Sequence, residues 1–347
     1  MNPATVIGMR AFRITEWGRP PEVVDVPTPQ PGPGQVLVRV AGCGLCHTDV
    51  TLPGMPAAVG ERLGWQLPFT LGHEVAGWVA SLGSGVTGFA EGDPVALATQ
   101  NSCGQCWHCL RGLDSSCPRA AAGRGYGRDG GLADHVLVDS TRSVVRLGSL
   151  DPVTAGPLTD AGATAYHAVR RILPRVHPGG LVVVIGIGGL GSFAVQFLRL
   201  LTASRVVAVD TNPLRLDVAS SLGAHATACS LSRDLVGRFG ADAVLDFVGT
   251  DDTITSGLRA LRPAGSYGLI GAAGGRLTAP WFGSLPKDGE VFTFQGSSLA
   301  DLHDVLSIAS TGNLRNDVQR FPFDQISAAY SQLAAGELSG GRGLIVF

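Results

Sequence analysis

Four cysteines lie within one short segment of the sequence, and their spacing is typical of a metal site. Two-residue gaps separate Cys103, Cys106 and Cys109, and Cys117 follows soon after. Four thiolates can close a tetrahedral zinc site and leave no position for a substrate, so such an ion would be structural. Reduced thiols, a disulfide pair and an iron–sulfur cluster are the alternatives. We predict a structural zinc in this segment, about residues 100–118, which is named the cysteine lobe.

Two more candidate ligands lie earlier in the chain. Cys46 belongs to the stretch AGCGLCHTD, and His73 belongs to LGHE. A thiolate and an imidazole are both good zinc ligands. Taken singly, a buried thiol and a hydrogen-bonded core histidine are the more ordinary explanations. The sequence motifs around the two residues favour their interpretation as zinc ligands.

A glycine-rich turn is the third arrangement with chemical meaning. In Leu181–Asp210, an apolar run precedes Gly186, Gly188 and Gly191, and a second such run ends at Asp210. This order predicts strand, turn, helix and strand. The first glycine permits a tight turn, the second lets backbone approach a pyrophosphate, and the third allows close helix–strand packing. The helix N-terminus attracts phosphate, and Asp210 can accept hydrogen bonds from an adenosine ribose.

Two simpler explanations of this stretch are weaker. A membrane span would have about the same length and apolarity. However, four glycines cluster at its centre and Arg199 lies in its helical part. A glycine turn used only for packing does not account for Asp210.

The elements that must position these residues change character along the chain. Residues 1–157 show short strand-like runs between prolines and glycines, which predicts a β-rich domain. Residues 158–311 alternate strand and helix patterns, which predicts an α/β domain with a doubly wound parallel sheet of six strands. The tail, 312–347, is predicted to return to the first domain. After Asp210 the predicted helices lie near 212–222, 233–239, 252–261 and 299–310, and the predicted strands near 226–229, 243–248, 265–270 and 291–295.

The composition narrows the class of protein. The chain has 347 residues, 45% of them hydrophobic and 16% charged, with a formal net charge of -2. This balance argues against nucleic acid and an anionic membrane surface as partners. The N-terminal residues lack the pattern of a signal peptide, and the seven cysteines fit metal ligands and thiols better than disulfides. We therefore expect a cytoplasmic protein.

Taken together, the motifs resemble those of the zinc-dependent medium-chain alcohol dehydrogenases. The resemblance rests on GLCHTD, LGHE, the cysteine lobe, GIGGLG and the terminal GRGLIVF, in that order along nearly the whole chain. It implies a GroES-like (chaperonin-10-like) β-rich catalytic domain and a Rossmann domain, with the active site between them. The stretches PGPG, MPAA and PLTDAG resemble those of bacterial secondary-alcohol dehydrogenases.

The resemblance also implies the ligands of a catalytic zinc, which would be Cys46, His73 and Asp160. Many relatives have cysteine where this chain has Asp160, and a carboxylate is an acceptable zinc ligand. Asp49 would orient His73. Glu74 would lie beside the metal as an occasional alternative ligand.

One position departs from the family pattern. Thr48 matches the hydroxyl that receives the substrate proton. In much of the family a histidine three residues further on ends the proton relay, but this chain has Thr51 there. The relay would then end through the cofactor ribose and water, or through a group that the sequence does not identify.

The cofactor implied by the resemblance is NAD. Asp210 favours NAD because it would repel a 2′-phosphate, although the nearby Arg215 leaves NADP open. The predicted cofactor-binding residues are His47, Thr164, Gly186, Gly188, Gly189, Leu190, Gly191, Asp210, Arg215, Val248 and Arg342.

The implied reaction is the reversible oxidation of primary or secondary alcohols to aldehydes or ketones, with zinc as Lewis acid and hydride transfer to NAD. Thr48, Trp65 and Phe282 are predicted to line a largely hydrophobic substrate pocket. The alternatives are a zinc-free quinone or enoyl reductase on the same scaffold, and a non-catalytic protein that binds zinc, nucleotide or nucleic acid. The resemblance also suggests a homodimer or homotetramer.

Overall fold

The computed structural model describes residues 8–278, 280–338 and 341–347, so part of the N-terminal stretch inspected for a signal peptide lies outside the described residues. The chain divides into two units. The first combines the residues up to Asp160 with Ser297–Phe347, and the second is Ala161–Gly296. Among the described residues, no helix combines the length and the apolarity that crossing a bilayer requires.

The N-terminal part of the first unit is built mainly of strands. Proline and glycine separate them. Proline has no N–H to donate to the hydrogen bonds between strands, and glycine readily adopts the positive φ of tight turns. The strands are β1 (Gly8–Ile14), β2 (Glu22–Pro27), β3 (Val36–Gly44), β4 (Phe69–Thr70), β5 (Glu74–Leu82), β6 (Pro94–Leu97), β7 (Gly123–Arg124), β8 (Gly127–Arg128), β9 (His135–Val138) and β10 (Val144–Arg146). The α-helices are α1 (His47–Thr51) and α2 (Ala57–Arg62).

The second unit alternates helices and strands. Its helices are α3 (Ala161–Ile172), α4 (Gly189–Leu201), α5 (Pro213–Ser221), α6 (Arg233–Val236), α7 (Asp251–Ala260) and α8 (Trp281–Ser284). Its strands are β11 (Leu181–Ile185), β12 (Arg205–Val209), β13 (Ala226–Ala228), β14 (Ala241–Asp246), β15 (Leu261–Leu269) and β16 (Glu290–Thr293). They form one parallel sheet in the order β13-β12-β11-β14-β15-β16. This is the strand order of dinucleotide-binding Rossmann sheets, which confirms the predicted fold class.

The two largest differences from the predicted element boundaries in this unit concern α6 and β15. Helix α6 ends at Val236, before the predicted end near residue 239, because Gly237 has a φ of 67°. Strand β15 begins at Leu261 rather than near residue 265. Leu261 already pairs with Ala241 of β14, ahead of an irregularity in the register.

The chain returns to the first unit through α9 (Leu299–Ser310), β17 (Val318–Pro322), α10 (Ile326–Ala335) and β18 (Arg342–Val346). The predicted boundary at residue 311 placed α9 in the Rossmann domain, whereas the structure places it in the first unit. Helix α9 makes tertiary contacts within the first unit. The backbone N–H of Leu299, at the start of α9, donates to the carboxylate of Asp114 in the cysteine lobe at 3.1 Å.

The main sheet of the first unit has the order β10-β6-β5-β3-β18-β17, and β9 also pairs with β3. Strand β18 is antiparallel to β3, with Leu344 opposite Gly44. The C-terminal strand therefore lies beside the strand that leads to Cys46. Smaller sheets are formed by β2-β1-β4 and by β7-β8.

Candidate functional site

The structure brings the four cysteines of the cysteine lobe together. Cys106 Sγ is 3.5 Å from Cys109 Sγ and 3.9 Å from Cys117 Sγ. Cys103 Sγ is 4.0 Å from Cys109 Sγ. Sulfurs bound to one tetrahedral zinc at about 2.3 Å lie roughly 3.8 Å apart, so the four thiols fit that ion. None of the cysteines in the described part of the chain forms a disulfide.

The surroundings of two thiols in the lobe shift their pKa values in opposite directions. The backbone N–H groups of Gln105 and Cys106 lower the pKa of Cys103 to about 6, whereas burial raises the pKa of Cys109 to about 12. N–H donors directed at sulfur stabilise the thiolate, which is the form that binds metal. Binding of zinc by this cluster would release the remaining thiol protons.

The lobe is attached to the rest of its unit by the buried carboxylate of Asp114. Asp114 accepts hydrogen bonds from Ser102 Oγ at 2.8 Å and from Arg142 Nη2 at 2.6 Å, in addition to the bond from Leu299. Arg142 also packs on the lobe, because a Cβ at Gly104 would lie 3.0 Å from its Cδ. The lobe is thereby connected to the 3-10 turn that precedes β10 and to the start of α9.

Four other metal-binding side chains converge in the first unit, and their ligand atoms all lie within 4.8 Å of one another. They are Cys46, His73, Glu74 and Asp160, and we call them the mixed cluster. Cys46 is the N-cap of α1, and Asp160 follows a short 3-10 helix. His73 Nε2 is 3.7 Å from Asp160 Oδ2. A thiolate, an imidazole and a carboxylate form a donor set that suits zinc and leaves one position for a small molecule.

His73 is oriented by Asp49 of α1, and both side chains are buried. His73 Nδ1 lies 3.3 Å from Asp49 Oδ1. Burial alone would lower the pKa of His73, but the nearby Asp49 and Cys46 outweigh it and raise this pKa well above its ordinary value. A carboxylate at Nδ1 leaves Nε2 to act as a metal ligand, which is a common arrangement in zinc sites.

Glu74 is fully buried and forms an ion pair with Arg342 of β18. Arg342 Nε donates to Glu74 Oε2 at 3.1 Å, and Arg342 Nη2 donates to Oε1. Burial raises the pKa of Glu74 to about 7, although Arg342 opposes this shift. A Cβ at Gly44 would overlap the Glu74 carboxylate, so glycine is required there. A cation therefore holds Glu74 beside the proposed metal ligands.

In the second unit, the glycine turn follows β11 and opens α4. Gly186 has a φ of 86°, which only glycine adopts readily. A Cβ at Gly191 would overlap the carbonyl oxygen of Gly186, whereas a Cβ at Gly188 would meet no atom within 4 Å. The N-cap residue of α4 is Gly188, which has no side chain to bond the first N–H groups of the helix. The turn thus offers open space and backbone N–H donors, which suit a pyrophosphate.

Asp210 lies beside this turn, just after β12. Its Oδ2 accepts the N–H of Ile187 at 2.7 Å, and its Oδ1 accepts the N–H of Asn212 at 2.8 Å. Arg215 Nη1 lies 3.7 Å from Asp210 Oδ2. These contacts hold the carboxylate in place next to the turn, with one guanidinium close to it.

The predicted relay and nicotinamide residues have different surroundings. His47 and Thr48 are exposed on α1, and Thr164 is buried on α3. Thr51 donates its hydroxyl to the carbonyl oxygen of Thr48 at 3.0 Å, so this hydroxyl bonds within the same helix. Val248 follows β14, and its Cγ2 packs in the space where Gly186 lacks a side chain.

The two predicted pocket residues also differ. Trp65 packs against Phe69 and Tyr126, with ring centroids 6.0 and 6.1 Å away, and the Tyr126 ring lies 6.2 Å from that of His73. Packed aromatic rings therefore extend from Trp65 through Tyr126 to His73 of the mixed cluster. Phe282 lies in the second unit and is 82% exposed.

Three residues that the sequence did not single out take part in these arrangements: Asp114, Tyr126 and Tyr330. Tyr330, on α10, donates its hydroxyl to Asp49 at 2.9 Å. No local pattern marks these positions, because each acts through a contact with a residue that is distant in the sequence.

Two family models match the chain. "Alcohol dehydrogenase GroES-like domain" matches residues 32–149, and "Zinc-binding dehydrogenase" matches residues 189–311. An NAD-dependent alcohol dehydrogenase of Sulfolobus acidocaldarius is 32% identical, and the alignment covers 97% of this chain and 100% of the relative. The chain belongs to the zinc-type medium-chain alcohol dehydrogenases. It is therefore an oxidoreductase, and the zinc-free reductase alternative is not supported.

Other members of the family show its breadth. The structure of an alcohol dehydrogenase from Aeropyrum pernix superposes with a TM-score of 0.88 at 32% identity, and the match covers 97% of this chain and 100% of that one. A D-arabinose 1-dehydrogenase (NADP(+)) of Saccharolobus solfataricus is 30% identical over 98% of each protein. Relatives of similar identity thus differ in the cofactor and substrate that their names give. The cofactor and substrate of a single member therefore depend on its own residues.

Proposed function

We propose that this alcohol dehydrogenase reversibly oxidises primary or secondary alcohols to aldehydes or ketones, with NAD as the hydride acceptor. The convergence of Cys46, His73 and Asp160, with Asp49 behind His73, carries this proposal. The open glycine turn and the adjacent Asp210 carboxylate support the choice of a dinucleotide.

Cys46, His73 and Asp160 would hold a catalytic zinc, and the cysteine lobe would hold a structural one. When bound, the catalytic zinc supplies Lewis acidity that lowers the pKa of the substrate hydroxyl. The chain contributes a buried His73 whose ring orientation is set by Asp49, which lies against its Nδ1. The Glu74–Arg342 pair adds a carboxylate whose charge is already balanced by a guanidinium.

Thr48 is proposed to receive the proton of the substrate hydroxyl. Its side chain is exposed, and its Oγ1 lies 3.5 Å from Cys46 Sγ, so the hydroxyl is adjacent to the proposed metal ligands. Thr51 holds the backbone of this turn through its bond to the Thr48 carbonyl. The relay is therefore proposed to continue through the cofactor ribose and water.

NAD, when bound, accepts the hydride. The backbone N–H groups of the turn from Gly186 to Gly191 would contact its pyrophosphate, and Asp210 would accept hydrogen bonds from its ribose. Contacts of His47, Thr164, Arg215, Val248 and Arg342 with the cofactor stay predictions.

The substrate is proposed to be a small or medium-sized apolar alcohol. The aromatic group of Trp65 and Tyr126 lies beside His73, so apolar surface is available next to the mixed cluster. The contribution of Phe282 stays a prediction. A homodimer or homotetramer and a cytoplasmic location also stay predictions of the sequence.

The direct test is formation of NADH, measured by absorbance, with a panel of primary and secondary alcohols. NAD and NADP are compared, with and without a zinc chelator. We expect NADH formation that the chelator abolishes, and weaker turnover with NADP because Asp210 would repel its phosphate. A rate that is unchanged by removal of zinc, or a clear preference for NADP, would contradict the proposal.

A further inference from the structure

The carboxylate of Asp49 has a partner from the far end of the chain. Tyr330, on α10, donates its hydroxyl to Asp49 Oδ2 at 2.9 Å, and the backbone N–H of Cys46 donates to the same oxygen at 3.2 Å. The other oxygen, Oδ1, faces His73 Nδ1 at 3.3 Å. Asp49 is only 1% exposed, so these contacts determine its orientation.

We propose that Tyr330 is a positioning residue for the catalytic metal site. Its hydroxyl holds the Asp49 carboxylate, and the carboxylate in turn holds the ring of His73. This inference rests on the proposed function, because it requires a zinc ion at Cys46, His73 and Asp160.

The ring and the hydroxyl of Tyr330 have separable roles. The ring stacks on Phe12, with centroids 5.6 Å apart and an angle of 17° between the planes, and it packs against the core of the first unit. The position of the side chain is therefore set by packing that a phenylalanine would keep. Burial and the nearby Asp49 raise the pKa of Tyr330 well above its ordinary value, so the hydroxyl stays protonated and can donate.

Asp49 depends on this donor because a buried carboxylate needs hydrogen bonds, and Oδ2 is the oxygen that accepts them. Without the Tyr330 hydroxyl, the N–H of Cys46 is the one donor to Oδ2 that remains among the described residues. The carboxylate can then rotate and move Oδ1 away from His73 Nδ1. Loss of groups that orient a metal ligand weakens metal binding by about 10- to 100-fold. Tyr330 acts through Asp49, so we expect the lower end of this range.

The test compares Tyr330→Phe with Tyr267→Phe in the zinc-loaded enzyme. Tyr267 is a matched control, because it is a buried tyrosine of the second unit whose hydroxyl donates to the buried Asp246 at 2.6 Å. Release of zinc to a colour-forming chelator is followed over time, and the zinc of the cysteine lobe serves as an internal reference. We expect release from the mixed cluster to be about tenfold faster in Tyr330→Phe only, with release from the lobe unchanged.

A double-mutant cycle separates positioning from a purely structural effect. In an Asp49→Asn background, Tyr330→Phe should no longer accelerate zinc release, whereas a packing effect would persist. If the wild-type enzyme holds zinc at both sites and Tyr330→Phe releases it at the wild-type rate, the role of Tyr330 is refuted while the proposed function stands. If the wild-type enzyme holds zinc only in the lobe, the proposed function fails and the role of Tyr330 fails with it.

Discussion

Asp49 and Glu74 are two buried carboxylates near the same imidazole, and their partners give them different tasks. Asp49 faces His73 Nδ1 and receives neutral donors, so its charge is directed at the histidine. Glu74 is paired with the guanidinium of Arg342, so its charge is balanced before any metal binds. The difference explains why Asp49 suits the orientation of a ligand and why Glu74 is a poorer candidate for permanent ligation.

We predict that zinc binding at the mixed cluster weakens as the pH falls. The raised pKa of His73 favours its protonated form in the metal-free protein, and zinc must displace that proton. The apparent affinity should fall by about tenfold per pH unit for each proton displaced. Competition titration with a chelator over a series of pH values measures this slope. An affinity independent of pH would contradict it.

The metal-free protein should show the opposite trend in stability. The folded-state pKa of His73 lies above the unfolded value of 6.5. The histidine therefore contributes stability that is fully present below pH 6.5 and is lost as the pH rises through the folded-state pKa. Thermal unfolding of the chelator-treated protein should occur at lower temperature as the pH rises through that range.

At the residue scale, the sequence could identify Cys46, His73 and the cysteine lobe because residue type and spacing signal metal binding by themselves. It could not identify the pairing of Glu74 with Arg342 or of Asp49 with Tyr330. These partners are distant in the sequence, and only the folding of the first unit brings them together. Arg342 was predicted from family resemblance as a cofactor contact, and its ion pair was not foreseen.

At the scale of single elements, two glycines of the same turn have different roles, one required by the packing of the turn and one by the ligand. Gly191 is required by the carbonyl oxygen of Gly186, which a Cβ would overlap. Gly188 has open space instead, and its backbone conformation, with a φ of -84°, is available to any residue. Gly191 is therefore needed for the fold, and Gly188 leaves space for the ligand.

We predict opposite consequences for Gly191→Ala and Gly188→Ala. Gly191→Ala should lower the free energy of unfolding by about 1–3 kcal/mol, because the overlap forces the turn to move. Gly188→Ala should unfold like the wild type but bind NAD more weakly, since the methyl group occupies the approach to the pyrophosphate. Urea unfolding without cofactor and NAD titration distinguish the two. Equal unfolding curves for all three proteins would contradict the assignment.

The sequence predicts elements best where the pattern is local. The alternation of strands and helices was sufficient for the Rossmann sheet, and the helix at Leu299–Ser310 has its predicted bounds. Its membership in the first unit could not be predicted, because that depends on the contact between Leu299 and Asp114. Likewise, the early start of β15 depends on pairing with β14, which no local pattern reveals.

At the scale of the whole molecule, the first unit is assembled from two distant parts of the chain. Strands β17 and β18 extend the sheet of the N-terminal part, α10 supplies Tyr330, and α9 contacts the cysteine lobe. The carboxylate of Asp114 thus anchors the lobe, and a zinc ion bound by its four cysteines would anchor it as well. Both anchors should stabilise this unit.

We predict that Asp114→Asn lowers the free energy of unfolding of the zinc-loaded protein by about 1–3 kcal/mol. The substitution keeps the shape of the side chain but removes the charge that pairs with Arg142. Asp139→Asn is the matched control, because Asp139 pairs with Arg128 at the surface, where both side chains are 50% exposed. The control should lose less than about 1 kcal/mol. Equal losses in denaturant unfolding would show that Asp114 does not anchor the lobe.

The most direct measurement is zinc content and NADH formation on the same samples of wild-type protein and Cys46→Ala. The wild type should hold about two zinc ions per chain and oxidise alcohol. Cys46→Ala should hold about one, in the cysteine lobe, and should lose turnover while its circular dichroism spectrum stays unchanged. A Cys46→Ala protein that keeps both zinc ions, or that still forms NADH at the wild-type rate, would contradict a catalytic zinc at the mixed cluster.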